Sequence, residues 1–135
     1  MSKSNATETD MLAKIFTATA LPWDAETILD IHLHTGDPGE GGTSATSEAN
    51  YTDYALVEVA RTSAGWTVSG NTCTNDGLIQ FPICGGGTNA ITYVSITPHD
   101  STQILYSGAL TGGGVTVSTG IQPQFAIGAL SITED

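Results

Sequence analysis

His32 and His34 are the sharpest chemical pair in the chain. Across Thr27-Ile28-Leu29-Asp30-Ile31-His32-Leu33-His34 the residues alternate between polar and apolar. A period of two places Leu29, Ile31 and Leu33 on one face of a strand and Asp30, His32 and His34 on the other. Two imidazoles on one strand face have the reach to share a metal ion, with Asp30 or Asp37 supplying a carboxylate. Any i, i+2 pair on an exposed strand face has the same spacing, so the expectation is ordinary surface or interface residues, with no metal and no cofactor. His99, in Thr97-Pro98-His99-Asp100, reads as a loop residue.

The other candidates are weaker. Asp37 and Glu40 lie in a Gly-rich run, Asp37-Pro38-Gly39-Glu40-Gly41-Gly42. A calcium loop needs oxygen ligands at alternate positions and a closing Glu, and only fragments of that series are present. Ser and Thr are abundant, but no Gly-x-Ser-x-Gly elbow presents one as a nucleophile. One Arg and two Lys leave little to stabilise an oxyanion or a phosphate. An enzyme is not expected. Trp23, Trp66 and the four tyrosines suit either core packing or the anchoring of a partner or carbohydrate. Among them, Tyr51 and Tyr54 flank a long polar loop and are the tyrosines to suspect of contacting a partner.

Charge narrows the classes further. Three basic residues (Lys3, Lys14, Arg61) face fourteen acidic ones, a net charge of −11. Nucleic-acid binding needs Lys and Arg to displace counterions from phosphate, and three cannot form a binding stripe. The same scarcity argues against an anionic membrane surface. No apolar run approaches the ~18–20 residues of a bilayer span. The start, Met1-Ser2-Lys3-Ser4-Asn5-Ala6-Thr7, is polar and lacks the apolar stretch of a secretion signal. Synthesis in the cytoplasm is therefore expected, with Cys73 and Cys84 reduced and packed as small hydrophobes. On that reading the Asn-x-Thr matches at Asn5 and Asn50 carry no meaning.

The elements that must position these residues are mostly strands. Residues 1–7 read as a flexible arm, and residues 8–135 as one β domain. Within it, 8–20 is the one helix candidate: Met11, Leu12, Ile15 and Phe16 share a face at a 3.6-residue period. Thr7 or Thr9 is placed to cap it, and Pro22 stops it. Such a short helix is marginal and needs something to pack on. From residue 27 onward, short alternating or β-rich runs recur about every 10 residues, separated by Gly, Pro and Asn turns. Twenty-one threonines fit that picture. The pattern predicts an all-β fold, a jelly-roll-like sandwich of about eight short antiparallel strands with one short N-terminal helix. The glycine triplets at 85–87 and 112–114 read as loop tips, since neither opens a helix nor precedes the Lys-Ser/Thr of a phosphate loop.

Several stretches carry a family resemblance. They are Leu33-His34-Thr35-Gly36-Asp37-Pro38-Gly39-Glu40-Gly41-Gly42-Thr43, Ser47-Glu48, Tyr51-x-x-Tyr54-Ala55, Gly65-Trp66-Thr67-Val68-Ser69-Gly70-Asn71 and Ile79-Gln80-Phe81-Pro82. Ile104-Leu105-Tyr106-Ser107-Gly108-Ala109-Leu110-Thr111 and Phe125-Ala126-x-Gly128-Ala129-Leu130-x-Ile132-Thr133 continue it. From about residue 8 to the C-terminus the chain resembles small virion proteins of tailed phages often labelled "tail fibre protein", and is similar to capsid cement, or decoration, proteins of short-tailed phages. That resemblance implies a non-enzymatic β domain, made in the bacterial host, which oligomerises with its own copies. It would sit on the outer capsid surface, across subunits of the major capsid protein. Relatives often carry a basic residue after the Tyr-Ala pair, where this chain has Leu56, so a contact made by that residue does not transfer. Residues 1–20 are expected to dock on a neighbouring subunit. The residues expected to bind partners are Lys14, Phe16, Trp23, Tyr51 and Tyr54. The alternative is a tail-fibre or other tail-associated component that binds a host receptor. Copy number per particle separates the two.

Overall fold

The alternating run at 28–34 forms an inner strand of a five-stranded antiparallel sheet. The structure, a computed structural model, describes residues 1–135. In chain order the elements are β1 (Ser2–Lys3), α1 (Asn5–Thr17), β2 (Ile28–His34), β3 (Val57–Ala60), β4 (Trp66–Ser69) and β5 (Thr72–Asn75). They continue with β6 (Ile79–Gln80), β7 (Thr88–Ile91), β8 (Tyr93–Pro98) and β9 (Tyr106–Ala109). The last three strands are β10 (Val115–Ser118), β11 (Gln124–Phe125) and β12 (Ser131–Thr133). The main sheet has the order β1-β9-β8-β2-β3. A second sheet has the order β12-β5-β4, and two ribbons pair β10 with β7 and β11 with β6. The fold is all-β and sandwich-like, with one short helix. Its twelve strands exceed the expected eight because several, such as β1, β6 and β11, are only two residues long.

Register explains the core. Ile31 pairs with Ile96 and Leu33 with Val94 across β2 and β8, so four branched side chains point to the same side of the sheet. They join Trp66 and Ile132 of the second sheet, Ile79, Ile91 and Val117 of the ribbons, and Phe81 and Leu130 in one buried cluster. Asn75, fully buried, ties the C-terminal segment to that cluster. Its side-chain amide donates to the carbonyls of Gly77 and Ala126, and its oxygen accepts from the Leu130 amide. Cys73 is half-buried and Cys84 buried, and both are free thiols. At Gly114 the backbone has φ +92°, and a Cβ there would stand 2.0 Å from the Ile91 carbonyl oxygen. Only glycine closes that turn into β10.

The N-terminus differs from the sequence expectation. The sequence predicts an arm at residues 1–7 and a helix at 8–20. Instead Ser2 and Lys3 pair with Ser107 and Tyr106 of β9, and the helix spans Asn5–Thr17. Ser4, not Thr7 or Thr9, is the N-cap. Its hydroxyl accepts from the Thr7 amide and donates to the Ile104 carbonyl at 2.5 Å. Thr7 bonds the same carbonyl at 2.8 Å. Two buried hydroxyls therefore fix the first turn to the approach to β9. The helix ends at Ala18, in the left-handed conformation, four residues before Pro22. Beyond its first turn α1 has no buried residue, and no helix is long and apolar enough to cross a membrane.

Candidate functional site

The polar face of β2 is not a surface. Asp30, His32 and His34 are all buried, which corrects the expectation of ordinary exposed or interface residues. The strand alternates as its sequence predicts, but its polar side does not meet water. The segment after β2 folds back beside it: the Ala49 amide donates to the Leu33 carbonyl, and the Thr35 amide to the Ser47 carbonyl. That brings hydrogen-bonding partners over the face. His32 Nδ1 lies 2.7 Å from Glu48 Oε1, and its Nε2 lies 3.1 Å from Thr97 Oγ1. His34 Nδ1 lies 2.8 Å from the Thr46 carbonyl, and its Nε2 lies 2.7 Å from Ser95 Oγ. A carbonyl only accepts, so Nδ1 of His34 carries the proton and Nε2 accepts from Ser95.

Thr97, His32 and Glu48 thus follow the order of nucleophile, base and orienting carboxylate in an acyl-transfer triad. The chemistry of such a triad needs access, and here Thr97 is fully buried and His32 nearly so. The arrangement satisfies buried polar groups and pins the loop to the sheet. Burial lowers the His34 pKa, and the bond to Thr46 only partly opposes it. Burial would raise the Glu48 carboxyl, but bonds from His32 and Tyr54 and the nearby imidazoles outweigh it and hold the group below its ordinary value.

Tyr51 and Tyr54 belong to this interior. Tyr51 is buried and donates from its hydroxyl to the Pro82 carbonyl at 2.9 Å. The Tyr54 hydroxyl donates to Glu48 Oε1 and accepts from the Leu33 amide, both at 3.1 Å. The two rings meet edge to face at 5.3 Å. Burial raises the Tyr54 phenol well above its usual range.

A second cluster closes the turn after β8. His99 Nδ1 donates to Asp30 Oδ1 at 3.0 Å, the Asp100 amide donates to Asp30 Oδ2 at 3.0 Å, and His99 Nε2 stands 3.5 Å from Asp100 Oδ2. Ligand atoms of these three residues lie within 4.8 Å of one another, so the trio has the donor set of a small metal site. Their mutual hydrogen bonds already account for the geometry. The bond to Asp30 raises the His99 pKa.

Lys14, Phe16 and Trp23 lie at another part of the molecule. Lys14 Nζ is 3.8 Å from Asp24 Oδ2, so the end of α1 stands beside the segment carrying Trp23. Trp23 is half-buried under the Arg61 guanidinium, 5.2 Å from the ring centre. It lines a cleft of about 670 Å³ whose walls include Trp66, Val68, Leu105, Tyr106 and Ile132. Both indole N–H groups are buried without an acceptor in the chain. The apolar face of α1 is bare: Leu12 is 57% exposed, Ile15 66% and Phe16 78%. The Lys14–Asp24 contact joins α1 to the Trp23 segment, Phe16 lies on the opposite side of the helix from Lys14, and Tyr51 and Tyr54 lie elsewhere, in the interior. Sequence reasoning did not reach Arg61, Val68 or Tyr106 as parts of the cleft. Each is unremarkable in its own segment and meets the others only through sheet pairing.

One family model, podophage GP4 fiber I protein gp80, matches residues 2–133. The chain belongs to this family. It is a phage virion structural protein, related to a fibre protein. No curated protein matches the chain. The gp80 family match supports the broad virion resemblance seen in the sequence, including its fibre label. It does not extend to the cement proteins.

Proposed function

We propose that the chain is a non-enzymatic fibre component of a podophage particle. The observation that carries this reading is the gp80 family match over all but the first residue and the last two. The geometry is consistent with a structural part: the triad-like groups are sealed, and the exposed apolar side chains of α1 and the cleft suit assembly. Binding to nucleic acid or an anionic membrane does not suit three basic residues against fourteen acidic ones. We rank the fibre reading ahead of capsid decoration, because the matched family is that of a fibre protein.

The test is stoichiometry in purified particles, by quantitative mass spectrometry against the major capsid protein, with antibody labelling in electron micrographs. A minor stoichiometry with label at the tail or vertex is expected. A ratio near one to one, with label over the whole shell, would replace the fibre reading with decoration of the major capsid protein.

A further inference from the structure

The cleft of about 670 Å³ opens between the main sheet and the second sheet, and each contributes a row of side chains to it. On the second sheet Val68, Cys73 and Ile132 stand directly opposite one another across β4, β5 and β12. On the main sheet Ile96 pairs with Tyr106 across β8 and β9. All five line the cleft. Ile96 and Ile132 are buried at its floor, whereas Val68 is 73% exposed although it shares a face of β4 with buried Trp66. Core-facing positions of the sandwich are thus left open to solvent on this side.

One cation stands at these walls. Lys3 bonds Glu134 and Lys14 meets Asp24, but Arg61 has no carboxylate partner in a chain with fourteen acidic residues. Its Nη1 donates to the carbonyls of Trp23, Asp24 and Glu26 at 3.0, 3.2 and 3.0 Å, and its guanidinium lies 5.2 Å from the centre of the Trp23 ring. The group is held in place through one nitrogen, and Nε and Nη2 are left as free donors.

We propose that the cleft binds a free fatty acid, with the acyl chain between the two sheets and the carboxylate on Arg61. The volume lies within the range of small-molecule sites, about 300–1,000 Å³. A sugar does not suit the floor, because Ile96, Leu105 and Ile132 offer no partner to its hydroxyls and burying them unpaired is costly. A carboxylate gives Arg61 the counter-charge that the chain itself withholds, in the two-pronged geometry guanidinium favours. Because Arg61 is already fixed, little freedom is lost when the head group docks.

This goes beyond the fibre reading and is decided on the isolated chain, so neither result settles the other. Trp23 and Trp66, the only two tryptophans, both line the cleft, and their emission reports its occupancy. Dodecanoate titrated into the full-length protein below its micelle concentration should change that emission saturably, at one molecule per chain. Affinity should rise about fourfold per methylene from octanoate to dodecanoate, the increment for a buried CH₂. Dodecanol should bind roughly tenfold more weakly than dodecanoate, the scale of a charge-assisted hydrogen bond. Arg61→Gln should erase that preference. Since Arg61 also secures the Trp23 segment, Val68→Glu provides a second variant at an exposed position. It should weaken dodecanoate more than dodecanol, with unchanged circular dichroism. Bound dodecanoate should also slow alkylation of the free Cys73 thiol in the cleft wall. The absence of a saturable change would overturn the proposal. So would affinity indifferent to chain length, alcohol bound as tightly as acid, a Val68→Glu protein that binds both as wild type does, or Cys73 alkylated at the same rate with and without dodecanoate.

Discussion

β3 stops pairing with β2 at Val57, opposite Ile31. Two residues further along β2, the Leu33 amide has no strand neighbour on that side, and the Tyr54 hydroxyl takes its place as acceptor at 3.1 Å. Tyr54→Phe keeps the ring and its stacking on Phe81, 6.4 Å away between centres, and removes only the oxygen. The fully buried Leu33 then loses its amide's acceptor, and Glu48 loses a donor while keeping His32. An orphaned buried donor together with a lost bond to a carboxylate costs about 2–4 kcal/mol. With ~2.1 cal/mol/K of unfolding entropy per residue over 135 residues, that corresponds to a Tm lower by about 7–14 °C. Urea unfolding followed by tryptophan fluorescence should give a lower midpoint with an unchanged slope. A loss below about 0.5 kcal/mol, the scale of an ordinary surface change, would refute the claim that this hydroxyl completes the ladder.

Glu48→Gln keeps an acceptor for His32 and Tyr54 but removes the charge. The carboxyl sits below its ordinary 4.5 in the fold, so its contribution is present above that pH and lost as pH falls through the lower folded value. Urea midpoints across the acid range should fall less steeply in the variant, and equal slopes would mean the carboxylate is not stabilised there. His99→Gln should behave oppositely. The His99 pKa is raised above 6.5, so its contribution is full below that pH and lost as pH rises through the folded value. Wild type and variant should differ most near about pH 5.5 and converge near about pH 8.5; a gap that widens on the alkaline side would contradict the bond to Asp30. Gly114→Ala should destabilise more than Gly112→Ala. Both glycines have positive φ, about 1–2 kcal/mol of strain for alanine, but only at Gly114 does the new methyl meet a carbonyl, at 2.0 Å. Equal thermal shifts would show that the turn relaxes freely.

Much of the fold is visible in residue order. The period of two at 28–34 and the Gly-rich turns follow from local sterics and patterning, and they specify an all-β chain without any tertiary information. What stays hidden is which face meets water. Asp30, His32 and His34 look like a solvated stripe, because their covers come from residues 44–54 and from Thr97 and His99, distant in sequence. The loop itself reads as small and polar, yet Ser44, Ala49 and Tyr51 are buried in it. The same limitation affects the candidate site. Leu12, Ile15 and Phe16 are legible as one side of a short helix, but the cleft that Trp23 lines is assembled from β2, β4, β5, β8, β9 and β12. No local pattern encodes that convergence. Tyr51 and Tyr54 lie near the loop in sequence, and the loop brings them inward.

The helix raises an energetic question that points outward. Thirteen residues are too few for a stable isolated helix in water. Ser4 and Thr7 secure its first turn, and a left-handed Ala18 closes its end. Between them, three large apolar side chains face solvent. Fully burying each is worth about 1.5–3 kcal/mol, so at their exposures about 3–6 kcal/mol per helix remains unrealised until a partner arrives. Residues 11–17 should therefore fray in the free chain and become ordered on assembly. Amide exchange measured at dilution should be fast across 11–17 and slow at Thr7 and Glu8, whose amides are bonded to the Ser4 hydroxyl and carbonyl. Examining the chain within particles should slow exchange at 11–17 selectively. Uniform protection along α1 in the free chain would mean that the helix is self-sufficient, and its bare face would then need another explanation.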